Sequence, residues 1–468
     1  MFKEIYINFS VKVLAFSINS IFPLLVIPYV ISIIGVDSFG AVEYGLSVLA
    51  FFQVIGMLGV PIVGMRAISK EMDGIKQASI VFNIMKYVWV INSIVVFTYF
   101  IFLKYFSQSW DLSFEISLSL IFILLANFFN VDWYFEGRKK FKFIAVKSVI
   151  VRGLQIYLIY LFINNDGDTD LYALLFSLGV FGGYFIGFLV FIIQNIKKLN
   201  KITKTTIYLV PLLLVFILQN SNLLYTQIDK IFIAQSSFGE IGVATYAVPQ
   251  KISIYINAVV YALSFVAIPE FAKLLLNDIN NYWVNIKKMS TILILTGLFL
   301  GVIVILFNSE ILNYFSVEGI INANIVLFIF MIRIPFIALE GFLNTQVFLL
   351  NDKERILVKY YFVFGALNVL VNFLLFKELS PVTALLSTFI IEILLLFSLI
   401  TFVNKKIYIG FKKISSSSFR IIILGIIIES CLFLIEPHLN IFYKILIFIL
   451  VLISLIYYNF KRLNVNGA

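Results

Sequence analysis

The sequence predicts an all-α integral membrane protein of about fourteen transmembrane helices, set out as two six-helix lobes followed by two further helices. Three observations predict it. Of 468 residues, 62% are hydrophobic and 13% charged, with a mean hydropathy of +1.04, against roughly 45–50% apolar and 25% charged in a soluble domain. Apolar runs near the length of about 20 residues that a spanning helix needs follow one another along the whole chain. Basic residues then gather in every second break between those runs.

Taken in order, the first run covers 11–34. It is a span rather than a cleavable signal, because Lys12 interrupts it, no A-x-A-like site follows, and it continues through Pro23 and Pro28 to Gly35. Runs at 40–64, 80–103, 113–131, 144–163 and 171–194 complete a first block of six. A basic linker at 195–206 separates it from runs at 207–230, 244–269, 289–308, 321–347, 357–376 and 382–403. After a second linker at 404–418, ending in Ser415 to Ser418, come 419–435 and 441–460. The linkers divide the chain into 1–200, 201–406 and 407–468. Prolines 23, 28 and 211 free backbone groups and are expected to kink the first helix of each lobe.

The charge of +10 is topological. Twenty-six lysines and arginines fall in one set of loops, Arg138 to Lys140, Lys142 and Lys147 among them, whereas Lys104 and Lys377 alone fall in the other. The positive-inside rule therefore places the basic loops and both termini in the cytoplasm. No nucleic-acid partner is needed to explain the charge.

The two blocks resemble each other. S-F-G at Ser38 to Gly40 recurs at Ser237 to Gly239, and an offset of 202 aligns Gly40 with Gly242 and Tyr44 with Tyr246. Ile144 to Lys147 and Ile356 to Lys359 each open the fifth span of their block. An even-numbered repeat keeps one orientation, with a pseudo-twofold axis along the membrane normal and a site expected near mid-membrane.

Polar residues inside spans are costly and mark cavities or helix contacts. The candidates for a cavity lining are Lys12, Asn19, Gln53, Arg152, Gln219, Asn222, Lys251 and Arg333, and the candidates for coupling or gating are Asp229, Glu340 and Glu392. Asn19 and Asn222 have two readings, contact with a hydroxyl-rich ligand or hydrogen bonding between helices. Arg333 and Glu340 stand two turns apart on one helical face, while Asp229 and Lys230 read as a neighbouring pair. Trp133 to Phe135 read as an interfacial belt, and Leu274 to Lys288 as an amphipathic helix on the cytoplasmic surface.

One cysteine, Cys431, and one histidine, His438, exclude a disulfide framework and a cysteine-based zinc site. No Walker A sequence or H-E-x-x-H occurs, so neither ATP hydrolysis, a metal nor a cofactor is expected. A membrane enzyme would have to draw its acids from Asp37 or from Asp166 to Asp170, which lie in short loops.

F-G-A-V-E-Y-G at Phe39 to Gly45, D-W-Y-F-E-G at Asp132 to Gly137 with the basic run after it, and Y-T-Q-I-D-K at Tyr225 to Lys230 resemble the polysaccharide repeat-unit flippases called Wzx. These belong to the superfamily that also holds the MATE drug exporters and the lipid II flippases. The resemblance covers essentially the whole chain and implies a MATE-like, non-enzymatic carrier in the bacterial inner membrane. It implies movement of an undecaprenyl-diphosphate-linked oligosaccharide from the cytoplasmic to the periplasmic leaflet by alternating access. Membrane lipid, a polysaccharide polymerase and a chain-length regulator are the partners it implies. A lipid II flippase and a drug or cation exporter remain as alternatives, the latter requiring an acid-dominated cavity.

Overall fold

The computed structural model describes residues 2–196, 212, 216, 227–317, 320, 322–408 and 410–450, and for 2–23 the course of the backbone alone. Among the described residues the chain is helical throughout and no strand occurs. The principal helices are α1 (Phe2–Met57), α2 (Val60–Lys70), α3 (Gly74–Phe106), α4 (Phe114–Ser119), α5 (Phe122–Ala126), α6 (Asp132–Gly137), α7 (Phe141–Phe162) and α8 (Thr169–Asn195). They continue as α9 (Ile228–Ala234), α10 (Gly239–Asn277), α11 (Ile279–Leu306), α12 (Asn308–Tyr314), α13 (Ala323–Leu343), α14 (Glu354–Leu374), α15 (Pro381–Lys406), α16 (Phe411–Ile435) and α17 (Ile441–Leu450).

Ten stretches among the described residues are helical, long and apolar enough to cross a membrane. The first two expected runs form one such stretch, Leu24–Lys70, while 244–269 falls inside α10 and α17 is a shorter apolar helix. Of the run at 207–230 only Leu212, Phe216 and 227–230, the last of these in α9, are among the described residues, and 451–460 lies outside them.

Local sequence sets the breaks. Within α1 the residue with non-helical backbone angles is Gly35, at φ 82 and ψ 166; Pro23 and Pro28 stay within the helix. Leu58 and Gly59 turn left-handed, at φ 45 and 66, and Pro61 starts α2 in the first turn, where a missing N–H costs nothing. The Asp73 and Ser113 side chains cap α3 and α4 by accepting from the backbone N–H of Ile75 and Ile116. Asp278 caps α11, accepting from the backbone and side-chain amides of Asn281, which hold its carboxyl below the usual carboxylate range.

Polarity runs inside out relative to a soluble protein. On α3, Val90, Ile94 and Phe97 are exposed while Asn83 and Asn92 are buried; on α7, Ile150, Leu154 and Tyr157 are exposed while Lys147 and Gln155 are buried. Only a lipid solvent favours apolar side chains outside and satisfied polar groups within. The chain is a multi-pass membrane protein.

Two compact units form, Met1–Val248 with Glu354–Ile391, and Pro249–Lys353 with Glu392–Ala468. In the first, Val60, Ile68, Val81, Met85, Trp133 and Phe191 form one core. Trp133, Tyr134 and Phe135 are at most 2% exposed, so D-W-Y-F-E-G packs a core instead of forming the expected interfacial belt. Gly64 explains the fit, because a Cβ there would overlap the Trp133 ring. In the second unit, α13 is the central rod, with Val326, Leu327, Phe330, Met331, Ile334 and Leu339 buried, and it is packed by α11. The expected surface helix is instead the junction capped by Asp278, with Ile286 fully buried and Trp283 stacked 4.4 Å from Tyr408.

Candidate functional site

A polar recess of the first unit begins with three glycines. Gly179, Gly183 and Gly187 recur every four residues and so lie along one face of α8. With no side chains there, α8 leaves room for long polar residues of α7. A Cβ at Gly179 would overlap the Gln155 amide, and one at Gly187 would stand 3.0 Å from Asp132 Oδ1 and 3.2 Å from Lys147 Nζ. At Gly183 the nearest atom is a Val151 methyl at 3.8 Å, so the middle of the stripe is open.

That opening is a pocket of about 270 Å³ lined by Asp132, Lys147, Arg152, Gly179, Gly183 and Tyr184, with Ser148 and Val151 beside them. Lys147 donates to Asp132 at 2.5 Å and stands 5.9 Å from the Tyr184 ring centroid. Arg152 donates to Gln155 Oε1 at 2.6 Å, and Gln155 is anchored in turn on the Phe176 carbonyl at 2.9 Å. Two cations against one carboxylate, beside an aromatic face and a hydroxyl, make a chemistry suited to an anion carrying hydroxyl groups.

A second constellation in the same unit surrounds Asp229, which is fully buried. Its Oδ2 accepts from the hydroxyls of Tyr246 and Thr388, each at 2.7 Å, and its Oδ1 from Asn372 Nδ2 at 2.7 Å and Asn368 Nδ2 at 3.4 Å. Ser387 donates to Asn372 Oδ1 and completes the network. Lys230 lies 3.5 Å from Glu43 of α1, both nearly buried. Tyr44, the counterpart of Tyr246 under the repeat offset, is also buried and donates to the Trp110 carbonyl at 2.7 Å. No cluster of three histidine, cysteine or acidic side chains occurs among the described residues, whereas the Asp229 shell is built of one carboxylate with neutral amides and hydroxyls.

In the second unit Arg333 and Glu392 form a bidentate pair, both bonds 2.6 Å, at 5% and 8% exposure, with the Phe330 ring 5.3 Å from the guanidinium. The structure thus joins two of the sequence candidates, Arg333 of the expected lining and Glu392 of the expected coupling set. Glu340 is half-buried on α13 and Lys251 half-buried on α10. Gln53 is half-buried on α1, its carbonyl accepting from Asn127 at 3.2 Å. Arg152 lies in the pocket just described. Gln219 and Asn222 lie outside the described residues, as do the side chains of Lys12 and Asn19.

Sequence reasoning missed Lys147, Asp132 and Tyr184. Lys147 stands at the start of its apolar run and reads from sequence as part of the basic loop before it; in the structure it is a helix residue, 5% exposed. The signal that would have found the pocket is the four-residue glycine period on α8. For Asp229, the signal would have been Asn368 and Asn372, four apart in one span.

Residues 5–275 match the family described as polysaccharide biosynthesis protein. The chain is similar to the "Putative O-antigen transporter" of Escherichia coli (strain K12), 23% identical over 387 residues that span 79% of this chain and 90% of that protein. Among solved structures, its fold is similar to that of the lipid II flippase MurJ in an inward closed conformation, with a TM-score of 0.60, 13% identity, and 96% and 100% of the two chains covered. It is likewise similar to an inward-facing multidrug resistance MATE family transporter of the MOP superfamily, with a TM-score of 0.60, 16% identity, and 86% and 95% covered.

Proposed function

The chain belongs to the polysaccharide biosynthesis protein family, and on that premise we propose that it flips an undecaprenyl-diphosphate-linked oligosaccharide from the cytoplasmic to the periplasmic leaflet of the bacterial inner membrane. The observation that carries this reading is the pocket of Lys147, Arg152, Asp132 and Tyr184 beside the bare face of α8. A diphosphate takes Lys and Arg, a glycan takes neutral donors, acceptors and aromatic faces, and a polyprenyl tail stays in the lipid beyond the exposed apolar face of α7. The relative named as an O-antigen transporter supports the same substrate class.

Transport proceeds by alternating access of two lobes, 1–200 and 201–406, with 407–468 outside the repeat and both termini in the cytoplasm. Lys12, Asn19, Gln53, Gln219, Asn222, Lys251 and Arg333 contribute further lining, and Asp229, Glu340 and Glu392 are the coupling positions. Two negative charges crossing outward uncompensated would draw about 4.6 kcal/mol from an inside-negative potential of about 100 mV, at about 2.3 kcal/mol per charge. A polymerase and a chain-length regulator receive the product on the far side.

Complementation of a flippase-null strain tests the reading, with surface polysaccharide as readout and blotting as control for protein level. The wild-type chain is expected to restore surface polysaccharide, and the double variant Lys147→Gln, Arg152→Gln to lose at least tenfold of it at unchanged protein level. Failure of the wild type in its native host background would overturn the substrate, while full activity of the double variant would remove the pocket from the substrate path.

A further inference from the structure

The second unit, which includes α11, α13 and α16, holds a fully buried acid that the transport reading does not use. Glu429, in α16, is fully buried, and neither of its carboxylate oxygens has a hydrogen-bond partner among the described residues. An ionised carboxylate in that position, fully buried and without a donor among the described residues, is among the most unfavourable arrangements a membrane interior offers. The packing nonetheless accommodates it: a Cβ on Gly301 of α11 would stand 2.5 Å from Glu429 Oε1, so the glycine makes the space that the carboxyl fills. The same Gly301 position lies 3.6 Å from the backbone carbonyl of Met331 in α13.

That carbonyl is unusual for a chemical reason. Its helical donor would be the N–H of residue 335, four places on, and residue 335 is proline. Pro335 therefore frees one acceptor in the middle of the most buried helix of the unit, next to a carboxyl group that lacks a donor. A protonated carboxyl is itself a donor. Each group supplies what the other lacks.

We propose that Glu429, Gly301 and the Met331 carbonyl freed by Pro335 form a proton-binding site, occupied while α11, α13 and α16 are packed and emptied when they part far enough to admit water. Among the described residues no cation forms a hydrogen bond to the acid. On α11 no ionisable residue lies between Lys288 and the helix end. On α13 the groups are Arg333, held by Glu392 of α15, and Glu340; on α16 they are Lys412 and Lys413 in the first turn, Arg420 and Cys431; on α17 Lys444 is held by Glu310 and Glu436. None of these is a hydrogen-bond partner of the Glu429 carboxyl. Binding the proton favours the packed arrangement and releasing it favours the open one, which ties this unit's conformation to proton activity.

The test uses the full-length protein in lipid vesicles, and two readouts independent of transported substrate. Near neutral pH, the infrared difference between wild type and Glu429→Gln should contain the carbonyl band of a protonated carboxylic acid, and a hydrophobic carbodiimide should form an adduct on Glu429 that mass spectrometry locates. Raising the pH should diminish both. Pro335→Ala, which gives Met331 its helical donor back, should lower the pH at which the adduct is half lost. Should Glu429→Gln not fold, the adduct on the wild-type chain decides alone. A difference spectrum without the acid band, or an unmodified Glu429 while other carboxyls react, would overturn the proposal.

Discussion

At the residue scale, the burial of Asp229 is the most exacting commitment of the first unit. Three donors approach it at 2.7 Å, from Tyr246, Asn372 and Thr388, and removing the carboxylate strands all of them, at about 1–3 kcal/mol for each unsatisfied buried group. Asp229→Ala is expected to lower the stability of the purified protein by about 3 kcal/mol or more, read from thermal unfolding in detergent. Asp229→Asn keeps the shape and one acceptor and should cost less, about 1–3 kcal/mol, because its new amide faces donors. Wild-type stability of the alanine variant would show that the network is made with water instead. Much of this was legible in the sequence only as half of a pair. Asp229 and Arg333 stand out as costly residues in apolar runs, but apart from Tyr246, 17 residues on, the partners of Asp229 lie 139 to 159 residues further on, and Glu392 lies 59 residues from Arg333. A helical spacing rule connects Arg333 to Glu340 on the same face; only the packing of α13 on α15 connects it to Glu392.

At the element scale, α8 works by what it omits. Its three glycines leave different amounts of space, so the same substitution has different consequences at neighbouring turns. Gly183→Leu points into the open middle of the stripe and should fill the pocket, cutting surface polysaccharide in the complementation assay while leaving protein level near wild type. Gly187→Leu collides with the Lys147 and Asp132 pair and is expected to lower stability by about 1–3 kcal/mol, as overpacking does. Equal behaviour of the two variants would contradict the geometry. Ten apolar helices among the described residues fall where hydropathy places spans, because burial in lipid imposes length and apolarity on any span. The interior structure of those helices is less legible: the break in α1 falls at Gly35, where a left-handed backbone needs no Cβ, and not at the two prolines, which the helix absorbs. D-W-Y-F-E-G misled for a related reason, since an aromatic triplet beside lysines looks the same whether it faces headgroups or a core, and Gly64 on another helix decides between them.

At the scale of the whole molecule, orientation is the claim most open to a direct check. Cys431 is the single cysteine, so a Cys431→Ser background carrying Asp166→Cys or Lys353→Cys gives a clean reporter for each side. A membrane-impermeant maleimide should modify the Asp166→Cys protein in intact cells and the Lys353→Cys protein only after permeabilisation; the reverse pattern would invert the topology. The membrane class, the helical architecture and the family were legible in the sequence because composition and motif words are local properties. The division into units was not, because it depends on which distant segments pack together. That division has a consequence for how the chain comes into being. The first unit takes Met1–Val248 and then Glu354–Ile391, and Asp229 emerges 139 residues ahead of Asn368. At about 5–20 residues per second of synthesis, the acid spends roughly 7–28 s without its amide partners. Through that interval the nascent first half is an unfinished object, and whatever insertion machinery or lipid surrounds it must tolerate an acid that still lacks these amides until α14, which carries Asn368 and Asn372, arrives.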